Sequence, residues 1–174
     1  MGFGEYVNGL VALAISTAAA ALSSTLLKSE LLPDQLAWLG AAGTVVAAVM
    51  IVISFVFRKK LSVKWLRYTL AALLFLTLLT LIWLRSARVV NIEIAGSAHN
   101  FLVGSALSPT GLVAYTKCGA ESNEQMIGCS GAQMIPLLFD YSYWHAYYTC
   151  ICDYLLMLAI FVLLVSAVAV PPAG

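Results

Sequence analysis

The residues able to do covalent or metal chemistry in this 174-residue chain are few: four cysteines, two histidines and scattered serines. The cysteines, Cys118, Cys129, Cys150 and Cys152, all follow residue 117. In an oxidising compartment an even number of cysteines is expected to pair, and four allow three pairings. The expected pair is Cys118 with Cys129, closing a loop that holds Gly119, Gly128 and the polar run Glu121 to Gln125. Cys150 and Cys152 are expected in the first turns of a helix, where residues two apart point to different faces and do not bridge. They stand as thiols or as a second pair. With His99 and His145 the cysteines supply zinc-ligand types, yet neither Cys-x2-Cys nor His-x3-His spacing occurs, and no metal is expected. Ser97, Ser105, Ser108 and Ser130 sit in no nucleophile-elbow motif, and Gly-x-Gly-x-x-Gly is absent, so no catalytic residue and no cofactor is expected either.

The elements that must position these residues are set by four uncharged apolar stretches, Leu10 to Leu27, Ala37 to Phe57, Tyr68 to Leu84 and Tyr154 to Val170. Each approaches the ~17–25 residues a helix needs to cross the hydrocarbon core. The composition agrees, being 62% hydrophobic and 10% charged with net charge +1, against about 25% charged in soluble domains; mean hydropathy is +0.95. No nucleic-acid partner is expected, because no Lys/Arg patch is interleaved with aromatics. The expected fold is an all-α integral membrane protein of four transmembrane helices with a small β-containing extracytoplasmic cap between the third and fourth. Residues 1–87 would hold three helices, 88–149 the cap, and 150–174 the last helix. The first stretch reads as a retained helix rather than a signal peptide, since no basic residue precedes it and Glu5 does.

Orientation follows from the basic residues Arg58, Lys59, Lys60, Lys64 and Arg67, gathered in one short break. By the positive-inside rule this break is cytoplasmic. Both termini are then cytoplasmic, and the segments Lys28 to Leu36 and Arg85 to Asp153 face outward, in what is expected to be a bacterial inner (plasma) membrane. Trp38, Trp83, Trp144 and the tyrosines near residue 147 fit an outer aromatic belt, and Trp65 the inner one.

Small residues four apart mark the first two stretches: Ala14 and Ala18 on the first, then Gly40, Thr44 and Ala48 with Gly43 and Ala47 on the second. Such grooves let helix backbones approach, and packing of the first helix on the second is the expected use. The Leu-rich third and fourth stretches are expected to face lipid. No ionisable residue lies inside any stretch, which argues against a pump, carrier or voltage sensor.

In the outer segment Val90, Ile92 and Ile94 alternate with Asn91 and Glu93 at a strand's period. Further strands are expected from Asn100 to Gly104 and from Leu112 to Cys118, with Ser108-Pro-Thr-Gly as the turn between them. Glu121 to Gly131 reads as turn-like. The aromatic run Phe139 to Tyr148 is expected to anchor the chain at the bilayer surface.

In size, helix count and an outer-loop cysteine pair before the last helix, Cys118 and Cys129, the chain resembles the DsbB family of membrane disulfide-generating enzymes. That resemblance implies thiol oxidoreductase activity. The family's Cys-x-x-Cys in the first outer loop has no match in Lys28 to Leu36, and Cys150-Ile-Cys152 is the only substitute. The large loop between the third and fourth helices also resembles tetraspanins, with Lys117-Cys118-Gly119 in place of their Cys-Cys-Gly motif. The residues themselves point to a non-enzymatic membrane protein, a subunit or accessory of a larger assembly or a homo-oligomer, with the lipid bilayer and another membrane protein as its partners. A thiol oxidoreductase and an oligomeric pore or membrane-perturbing effector are the alternatives.

Overall fold

The computed structural model describes residues 32–57, 64–94 and 97–169. A 3-10 turn at Asp34–Leu36 precedes helix α1 (Leu39–Val56) and helix α2 (Lys64–Arg88). Strands β1 (Val89–Ile94) and β2 (Ser97–Leu102) follow, then α3 (Pro109–Lys117), α4 (Asn123–Ser130), a 3-10 turn at Ala132–Met134, the single turn α5 (Ile135–Leu138) and α6 (Tyr141–Ala169). Among the described residues the chain divides into two units: 38–57, 64–80 and 153–169 form one, 32–37, 81–94 and 97–152 the other.

The protein is mostly helical with one small two-stranded sheet. Among the described residues, two helices are long and apolar enough to cross a membrane, Lys64–Arg88 and Tyr141–Val168, while the apolar helix Leu39–Ser54 is shorter. The expected first span, Leu10 to Leu27, with Ala14 and Ala18, lies outside the described residues, as do Arg58, Lys59 and Lys60. Helix α2 extends past its apolar stretch at both ends. Lys64 and Arg67 are already helical, and Arg85 and Arg88 occupy the last turn, where cations offset the partial negative charge of the helix C-terminus. Helix α6 begins at Tyr141, well before the apolar run that starts at Tyr154. Cys150 and Cys152 therefore lie more than two turns into the helix rather than in its first turns.

In the first unit α6 is central, which corrects the expectation that the fourth helix faces lipid. Tyr154, Met157, Leu158, Ile160, Val162 and Ala167 are all buried. Helix α1 lies against α6 at Gly43, where an added Cβ would come 2.6 Å from Leu158 Cδ1 and 3.4 Å from Tyr154 Cε1. Ala47 packs with Val162 one turn further along. On the other side Leu70 of α2 packs with Ile160 and Ala167. The small residues of α1 thus divide: Gly40, Gly43 and Ala47 are buried, whereas Thr44 and Ala48 are exposed. Hydroxyls in these helices bond back to the preceding turn, as in Thr44 to the Ala41 carbonyl and Ser54 to that of Met50.

The second unit carries the cap. Its hairpin pairs antiparallel from Val89↔Leu102 to Ile94↔Ser97, extended by the Val103 N–H donating to the Arg88 carbonyl at 2.8 Å. The alternation read in the sequence holds for β1 at Val90 and Ile92, whereas Ile94 is exposed, and β2 starts three residues earlier than expected. One hairpin face sends Val90, Ile92, Phe101 and Val103 into a core closed by Met126 and Ile127 of α4, Ile135 and Leu138 of α5, and Phe139 and Tyr143.

The third expected strand does not form. Leu112 to Lys117 is helical, because Ser108 is an N-cap whose Oγ accepts from the Gly111 N–H at 3.0 Å, with Pro109 at the first helical position. Serine, proline and glycine mark turns and helix starts alike, and the tertiary contacts of α3 select the helix. Glu121 to Gly131 is likewise mostly helix α4. Its cap is Ser122, which accepts from the Gln125 N–H, while the Gln125 side chain accepts from the Glu121 N–H at 2.8 Å.

Candidate functional site

The cysteine pairing expected from the sequence is present. Cys118 is the C-cap of α3 and Cys129 lies in the last turn of α4, with their sulfurs bonded across a Cα separation of 6.2 Å. Gly119 makes the reversal between the helices possible with φ +58°, a conformation that costs residues with a Cβ. Behind it the Ala120 N–H returns to the Tyr115 carbonyl at 3.1 Å, closing the end of α3. The bridge thus ties two short helices, neither long enough to be stable alone, over Met126 and Ile127.

Helix α3 is held from beneath by α5. The Ser108 N–H donates to the Leu138 carbonyl at 3.0 Å, and the Ser108 hydroxyl donates to that of Leu137 at 2.5 Å. Gly111 passes so close that a Cβ there would lie 1.9 Å from the Leu138 oxygen. A second close passage brings Gly104 beside Phe139, and the Ser105 N–H donates to Ser142 Oγ at 2.7 Å. Asp140 caps α6 by accepting from the Ser142 N–H at 2.9 Å and from the Ser142 hydroxyl. Those bonds, the side-chain one foremost, hold the Asp140 carboxyl below the usual carboxylate range.

A tie not legible in the sequence joins the 34–36 turn to β2. Gln35 presents its side-chain amide to the outer edge of the strand, accepting from the Leu102 N–H at 2.6 Å and donating to the Leu102 carbonyl at 3.2 Å. The amide stands in for a neighbouring strand, satisfying one residue of an otherwise open edge. Beside it His99 Nδ1 lies 2.7 Å from Asp34 Oδ2, both side chains partly exposed. Leu36 and Leu102 are fully buried next to these bonds. Replacing Gln35 with Ala is expected to leave the Leu102 pair without partners and cost about 1–3 kcal/mol. Faster amide exchange at Leu102, with the Val103 amide unaffected, is the measurement that checks it.

Of the remaining expected residues, Cys150 is buried and Cys152 exposed on α6, and neither is in a disulfide. Lys64 is exposed and Arg67 half-buried in the first turn of α2. His145 is exposed, and among the described residues no three His, Cys, Asp or Glu side chains gather as a metal site. Tyr143, Trp144, Tyr147 and Tyr148 stack and edge against one another over the first turns of α6, with ring centroids 5.3–6.1 Å apart. The arrangement offers surfaces and a braced scaffold for contact. The chain matches no protein-family model, no curated protein and no solved structure.

Proposed function

We propose that this chain is a non-enzymatic polytopic membrane protein, a subunit or accessory of a membrane assembly, whose disulfide-braced cap faces outward and makes the partner or ligand contacts. In this reading both termini and the basic segment Arg58 to Arg67 are cytoplasmic, in a plasma membrane such as the bacterial inner membrane. The observation that carries it is the apolar surface left open on α1 and α2. Val45, Val49, Val52, Phe75, Leu76 and Leu79 are each between 45% and 64% exposed, and hydrocarbon or another helix is the environment that accepts such faces.

Reporter fusions test the orientation. A reporter active only outside the cytoplasm should be active after Ser122 and silent after Ser62. The same cells, solubilised in mild detergent, should release the protein in a particle larger than the 18.6 kDa chain with its detergent. The opposite fusion pattern overturns the topology, and a monomeric particle overturns the assembly.

A further inference from the structure

We propose that the cap lies on the outer surface of the bilayer, using Leu112 and Val113 of α3, Leu137 of α5 and Tyr141 of α6 as an apolar face seated among lipid headgroups and upper acyl chains. The inference rests on the reading of α6 as a membrane-crossing helix and adds to it a second, peripheral contact made by the cap itself. These four side chains are 57%, 67%, 58% and 79% exposed, more than the other exposed aliphatics of the unit, Ile82 at 47%, Ile94 at 39% and Met134 at 36%.

They are carried by elements that cannot move independently. The bonds from Ser108 to the Leu137 and Leu138 carbonyls and the close passage of Gly111 lock α3 onto α5. With Gly111 turned inward, Leu112 and Val113 fall on the outward side of α3. Tyr141, Trp144 and Tyr148 are exposed at successive turns of α6 leading toward its apolar run, and Leu137 precedes them on α5 across the break at Phe139 and Asp140.

The choice of lipid over a protein partner rests on what adjoins the face. The face is continuous in the chain with a Trp/Tyr cluster at the start of a span, and such rings favour the level of the headgroups. The exposed positions of α3 and α5 hold Lys117 and no acid, Glu121 and Glu124 come only after the Gly119 reversal, and the exposed Asp140 beside Tyr141 caps α6.

The test places an environment-sensitive fluorophore at Val113→Cys in the full chain carrying Cys152→Ser. Labelling is done without reductant, so that the Cys118–Cys129 bridge stays closed and Cys150 stays buried. The labelled protein is reconstituted into phosphatidylcholine vesicles with or without brominated acyl chains. Matched labels at Phe75→Cys, on the open face of α2, and at Glu93→Cys, on the hairpin, are the references. The Val113 label should lose emission in brominated lipid, as the Phe75 label does, while the Glu93 label is quenched only by aqueous iodide. A label at Leu137→Cys should repeat the Val113 result. Iodide quenching at Val113 and Leu137 without bromine quenching would overturn the proposal, and shielding from both quenchers would replace lipid with a protein contact. Loss of bromine quenching at Phe75 would instead overturn the membrane reading itself.

Discussion

Gly111→Ala should be the most damaging single-methyl change in the cap. The new Cβ would sit 1.9 Å from the Leu138 oxygen and 2.9 Å from its carbonyl carbon. Both are backbone atoms, so no side chain can swing aside, and α3 must lift off α5 or bend. Overpacking of this kind costs about 1–3 kcal/mol and sometimes more. The loss should be larger here because the same shift stretches the Ser108 bonds to Leu137 and Leu138. Gly128→Ala is the matched control, since nothing lies within 4 Å of its added Cβ. Within α4 that change should be neutral or stabilising by up to about 1 kcal/mol, through helix propensity. Limited proteolysis of the two variants side by side reads the contrast. Equal protease sensitivity would mean that α3 is not packed as described.

Opening the bridge should have the next largest effect. Cys118→Ser with Cys129→Ser releases a short closed loop, and by the chain-entropy account it should destabilise the cap by about 2–4 kcal/mol. Protease resistance and assembly should fall together, whereas Cys152→Ser should leave both near the native level because that thiol is exposed and unbridged. Thiol trapping in cells separates bracing from redox relay. A structural bridge stays oxidised in both partners, while a cycling pair gives mixed disulfides with a soluble substrate, and either single serine change would then abolish turnover without unfolding the cap. Mixed disulfides at Cys118 or Cys129 would overturn the non-enzymatic reading and favour the oxidoreductase.

Several features of this chain were legible because their causes are local. The strand Val89–Ile94 announces itself through alternation, and its apolar side does enter the core at Val90 and Ile92. The partnership of Cys118 and Cys129 follows the short loop between them. The strand expected over Leu112 to Cys118 gives way to helix α3 for an equally local reason: the segment holds β-branched and aromatic residues that favour strands only slightly. That preference is outweighed by the Ser108 cap and by the burial that Gly111 permits against α5.

What the sequence determined by itself, then, is composition-level and short-range: long apolar helices suited to hydrocarbon, a strand after the second of the described helices, and the bridge between Cys118 and Cys129. Only the tertiary structure decided that the last helix is the centre of its unit rather than a lipid-facing face. An all-round apolar helix has no polar side to declare which neighbours it takes, and Gly43 and Ala47 of α1 are matched to Tyr154, Leu158 and Val162 by shape alone. The same holds for Gln35. Its two bonds to Leu102 cross 67 residues, and no periodicity or motif along the chain encodes a contact that exists only once the strand edge and the turn have been brought together.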